Sequence, residues 1–151
     1  MLPMDRARRI VDVVRGELLT PLGLRSLSPH HPCYRQRYEG GVRERDTAYH
    51  QGTVWPWLMG PFVTAYLRVN GRSSETLREV SGWLDEFGAH LSAAGLGHIS
   101  EIADAEDGHQ PRGCMAQAWS VAEVLRAAVE DLHAVRPEPR VQVASLAASG
   151  L

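Results

Sequence analysis

At 151 residues the chain has the size of one domain, and 44% apolar with 23% charged residues marks it as folded and globular rather than disordered or fibrous. With 16 Lys+Arg against 18 Asp+Glu, the formal charge of -2 offers no positive field to a nucleic-acid backbone. Cys33 and Cys114 lie far apart without C-x-x-C spacing, and no apolar run is long enough to span a membrane, so a reducing, cytoplasmic setting is expected without disulfide scaffold or zinc ribbon.

From Asp5 to Leu19, Ala7, Ile10, Val11, Val14 and Leu18 recur with the period of an amphipathic helix, and Thr20-Pro21 stops it. Residues 20–48 hold three prolines, three glycines and five arginines without a sustained period, which predicts a long irregular segment of the kind that carries function. From Trp55 to Val69 nearly every position is apolar, as in a helix covered on most sides. Thr53 is its expected N-cap, Pro56 fits its first turn and Asn70-Gly71 its stop, while Pro61 predicts a kink or a late start near Gly60-Pro61.

Glu75 to Ala93 repeats apolar residues at Leu77, Val80, Leu84, Phe87 and Leu91, an outer amphipathic helix. A second irregular segment, AGLGHISEIADAEDGHQPRGCM, follows. Ala118, Val121, Leu125, Ala128 and Leu132 then mark a last helix that Pro137 ends. The expected fold is all-α, with about four main helices, two long loops and no significant sheet. Short turns at one end and long loops at the other suit a paired-helix toroid, although a helical bundle with decorated loops shares the pattern.

Two places carry chemistry. Glu101 stands between Ile99-Ser100 and Ile102 behind the turn-forming GLGH, so its carboxylate is expected to be pinned and partly shielded, which tunes a carboxylate for proton transfer. Trp55, beside Tyr49 and His50, is placed to offer an aromatic face to the C–H surface of a pyranose, with His and Gln for its hydroxyls, whereas Trp57 and Phe62 read as core. No metal or other cofactor is expected. His30-His31-Pro32-Cys33 is too compact for a structural zinc site, H-E-x-x-H is absent, and DAEDG fails the calcium-loop register.

LLTPLGLRSLSP (18–29), YRQRYEG (34–40), RDTAYHQGTVWPWLMGPFVTAYLRV (45–69), GHISEIADAEDGHQPRGC (97–114) and AQAWSVAEVLRA (116–127) closely resemble, in order, the C-terminal part of the glycogen debranching enzymes, the amylo-alpha-1,6-glucosidases. The resemblance implies part of an (α/α)6 toroid and hydrolysis of the α-1,6 branch of a glycogen-like or maltooligosaccharide glucan, with inversion. It places the family's general base at Glu101, in S-E-I. The glucose-contacting set it suggests is Tyr49, His50, Gln51, Trp55 and Trp57, with Tyr34, Arg45, Asp104 and Gln117 as further candidates.

An inverting glycosidase also needs a carboxylic acid about 6.5–9.5 Å from the base. The resemblance places that acid, an aspartate, upstream of the segment matched here, and Asp46 in RDTAYH does not match its motif. Residues 1–136 are therefore expected to be the C-terminal portion of a catalytic domain, with 137–151 a weakly ordered tail and the N-terminal remainder of the enzyme as a partner. Such a piece would leave apolar edges uncovered. The alternative is a carbohydrate-binding or assembly remnant that keeps the aromatic rim and does not cleave.

Overall fold

The computed structural model describes residues 2–106 and 108–133; the expected tail at 137–151 lies outside them. In chain order the elements are α1 (Met4–Glu17), β1 (Leu19–Thr20), β2 (Gly23–Arg25), α2 (Val42–Ala48), β3 (Val54–Trp55), a 3-10 turn (Pro56–Leu58), α3 (Met59–Asn70), α4 (Ser74–His90), β4 (Ile102–Ala103), β5 (Pro111–Arg112) and α5 (Ala118–Arg126), which runs on as a π-turn (Ala127–Leu132).

The inner helix is α3, which packs against α1, α4 and α5 and buries Met59, Phe62, Val63, Tyr66 and Leu67. Pro61 produces no break, because it is the third residue of α3, inside the first turn where a backbone N–H has no helical acceptor. Thr53 is not the cap. It is fully buried before β3, and its hydroxyl donates to the Tyr49 carbonyl at 2.7 Å. Gly71, at φ 79°, closes the helix by donating its N–H to Leu67 O. The Ser73 side chain then accepts from Thr76 N–H to start α4, whose Val80, Leu84 and Phe87 complete the main core with Val11, Leu24, Ile99 and Ala127.

The last helix keeps part of its expected face: Val121, Ala128 and Leu132 pack on the core together with Ser120, Val124 and Ala127, whereas Ala118 and Leu125 are exposed. The π-turn brings Asp131 onto the face of Arg126, and both bond Thr64 of α3 (2.6 and 3.2 Å).

The expectation of an all-α chain, part of an (α/α)6 toroid without significant sheet, is overturned. Five strands of two or three residues pair antiparallel in the order β1-β2-β3-β4-β5, with Leu24 opposite Trp55, Val54 opposite Ala103 and Ile102 opposite Arg112. The two long loops carry this sheet, and α2 interrupts the first of them, making five helices among the described residues. Strands this short show no alternation in sequence, and their partners lie in distant segments, so local periodicity does not reveal them.

Candidate active site

The sheet fixes Glu101. Its backbone N–H donates to Cys114 O (2.8 Å), one step beyond the Ile102–Arg112 pair, and Gln117 N–H donates to Ile99 O (2.9 Å) one step further on. Its half-buried carboxylate accepts twice: Oε1 takes the phenolic O–H of Tyr49 and Oε2 takes the backbone N–H of Cys114 at 3.0 Å. Gly113 makes this approach possible. At φ 65° it adopts a left-handed conformation, and a Cβ there would stand 2.5 Å from Glu101 Oε2.

Tyr49 caps the C-terminus of α2, and its carbonyl accepts both the Thr53 hydroxyl and the indole N–H of Trp55 (3.1 Å). Its ring meets Trp55 edge-on at 4.8 Å and His50 at 4.7 Å, with Tyr38 at 5.7 Å. Burial, then the hydrogen bond and negative charge of Glu101, push the phenol well above the ordinary tyrosine range, so it stays neutral and donates. His50 lies flat against Trp55, ring centres 5.1 Å apart and planes 8° from parallel.

These rings open onto a cleft of about 750 Å³, within the range of small-ligand sites of about 300–1,000 Å³. Tyr49, His50, Trp55, Trp57, Leu58 and Ser26 line it together with Trp119 and Glu123 of α5. The two tryptophans of the 45–69 stretch exchange their expected roles: Trp55 is 6% exposed, while Trp57 is half-buried. Tyr49 borders both the cleft and the Glu101 carboxylate, and so joins them.

The other expected contacts fall elsewhere. Asp104 is 1% exposed and structural: Oδ1 accepts Tyr38 N–H (2.8 Å) and Oδ2 accepts the Arg112 guanidinium (2.9 and 2.8 Å), which ties the 34–40 segment to the sheet. Tyr34 packs on Val54, Ala103 and Ala105 beneath it. Gln51 accepts Arg35 N–H through its carbonyl, Arg45 is exposed on α2, and the Gln117 side chain accepts Ala118 N–H. None of these five lines the cleft. Trp119 and Glu123 were missed by sequence reasoning, although a tryptophan off the apolar stripe of its helix was the available signal.

Among the described residues no three His, Cys, Asp or Glu side chains are grouped as metal ligands. No helix there is long and apolar enough to cross a membrane. A family model described as amylo-alpha-1,6-glucosidase matches residues 1–126. The glycogen debranching enzyme of Saccharomyces cerevisiae is 36% identical over 76 residues, a stretch that covers 46% of this chain and 5% of that enzyme.

Proposed function

Because the chain belongs to the amylo-alpha-1,6-glucosidase family, we propose that it supplies the base and part of the sugar-binding surface of an enzyme that hydrolyses α-1,6 glucosidic branches of a glycogen-like glucan in the cytoplasm. The observation that carries this reading is the Glu101 carboxylate held by Tyr49 O–H and Cys114 N–H at the border of an aromatic cleft. Each oxygen keeps a lone pair beyond the bond it accepts, so the carboxylate is fixed in direction without being saturated. It takes a proton from a water molecule, whose oxygen attacks the anomeric carbon from the face opposite the leaving oxygen, and inversion follows. His50, backed by Trp55, and Trp57 offer ring faces to the sugar's C–H surface.

The leaving oxygen needs a proton donor. Glu123, the one carboxylate lining the cleft among the described residues, is engaged by Arg126 at 3.0 Å, and it is not assigned the role of donor. Asp46 lies exposed on α2. The acid is assigned to the remainder of the enzyme, and the chain alone to glucan binding without cleavage.

The test separates binding from turnover. The purified chain is expected to bind maltotriose and to release no glucose from a phosphorylase limit dextrin; release would overturn the assignment of the acid. In an enzyme reconstituted with the region that carries the acid, Glu101→Gln is expected to lower glucose release about 10²–10⁴-fold with saccharide binding retained. Turnover that survives the substitution removes Glu101 from the role of base.

A further inference from the structure

We propose that α5 forms the second wall of the cleft, with Trp119 as the stacking platform for a second glucose unit and Glu123 as an acceptor for one of its hydroxyls. The inference rests on reading the cleft as a glucan site.

Trp119 stands in the first turn of α5 and is 51% exposed, although the same helix has an inward face built from Ser120, Val121 and Val124. The residue is left half in water at a cleft that His50, Trp55 and Trp57 also line. Its position is set by the ladder that holds the base. Gln117, two residues before it, is bonded to Ile99, two residues before Glu101, and Cys114 is bonded to Glu101 through both backbone and carboxylate. Platform and base therefore belong to one hydrogen-bonded frame.

Glu123 lies four residues after Trp119, so it shares that helix face and lines the same cleft, with its Oε2 over Gly60 of α3. Arg126 Nε donates to its Oε2 at 3.0 Å, and the remaining carboxylate lone pairs can accept a hydroxyl. The wall comes close because α3 and α5 cross at Gly60, where a Cβ would stand 2.9 Å from Glu123 Cβ and 3.0 Å from its carbonyl oxygen.

The chemistry of the lining selects the occupant. Flat rings from two segments of the chain, a carboxylate and the Ser26 hydroxyl suit a neutral ligand with apolar ring faces and many hydroxyl donors. No Lys or Arg lines the cleft among the described residues, which disfavours an anionic ligand. A cleft of about 750 Å³ with aromatic residues from both the 49–57 segment and α5 has platforms for consecutive units of a chain.

Calorimetric titration of the 151-residue chain with glucose and with maltotriose tests this. Wild type is expected to bind maltotriose more tightly than glucose. Trp119→Ala should weaken maltotriose about tenfold and leave glucose unchanged, Trp119→Phe should restore most of the loss, and Glu123→Gln should weaken maltotriose to a smaller extent. Far-UV circular dichroism of each variant guards against misfolding, and the Phe variant keeps the test valid if the Ala variant does not fold. Unchanged maltotriose binding in Trp119→Ala would overturn the platform while leaving the cleft reading intact. Equal losses for glucose and maltotriose would place Trp119 at the first unit and overturn the assignment to the second. If wild type binds neither sugar, the reading of the cleft falls, and this inference with it.

Discussion

Tyr49 was legible in the sequence as an aromatic next to His50 and Trp55, but not as the partner of a carboxylate 52 positions away. That bond fixes its titration. The fold favours the neutral phenol, first through burial and then through Glu101, whereas an unfolded tyrosine ionises near about pH 10. The resulting stability is complete below about pH 10 and is lost as pH rises toward the higher folded value. Glu101→Gln removes the second cause and leaves the first. Ultraviolet absorbance titration should therefore show one tyrosine moving to lower pH in that variant, while Tyr66, pushed up to about 12 by burial and Glu79, stays in place as an internal reference. Superimposable curves for the two proteins would mean that Tyr49 and Glu101 do not pair in solution.

At the scale of elements, α1, α3, α4 and α5 were readable from their apolar spacing or apolar run, whereas the seven-residue α2 is too short to show a period. The sheet was not, because pairs such as Val54–Ala103 and Glu101–Cys114 are written in two places at once and neither half has a period. Two buried polar groups join these elements, and both are open to measurement. His90, the last residue of α4, accepts Ser100 N–H on Nε2 at 3.1 Å, and burial lowers its pKa. The fold thus holds the neutral ring, and the unfolded chain takes up the proton first, near the ordinary value of about 6.5. Stability is full above that value and declines as pH falls below it. Urea unfolding at pH 5 and pH 7 should show the decline, and His90→Gln should flatten it. Asp104 secures the other side of the sheet. Asp104→Ala strands Arg112 and the Tyr38 N–H, an expected loss of about 2–3 kcal/mol, less than for a wholly buried pair because Arg112 remains partly wet. Faster hydrogen exchange at the Tyr38 amide would locate the effect in the 34–40 segment, and unchanged stability would mean that Asp104 does not tie it down.

Across the whole molecule, spacing tells which side of a helix is apolar, but not whether anything lies on that side. The stripe of α1 was plain in the sequence, yet in the structure only Val11 of that helix is fully buried. Val11 lies at the base of a groove of about 790 Å³, walled by Met4, Ala7 and Ile10 of α1, floored by Pro61 and Ala65 of α3, and closed by Arg126 of α5. Met4 is 58% exposed and Ile10 50%, so apolar surface faces water along one continuous trough. Apolar surface gathered in one place binds hydrophobic dyes and favours association, whereas the same residues scattered singly do neither. The folded chain should accordingly enhance anilinonaphthalene sulfonate fluorescence at neutral pH without denaturant. The double variant Met4→Lys, Ile10→Lys should suppress most of that signal. Because both side chains already stand largely in water, stability should change by no more than about 0.5 kcal/mol for each substitution. Dye binding that persists in a folded double variant would place the exposed apolar surface outside this groove.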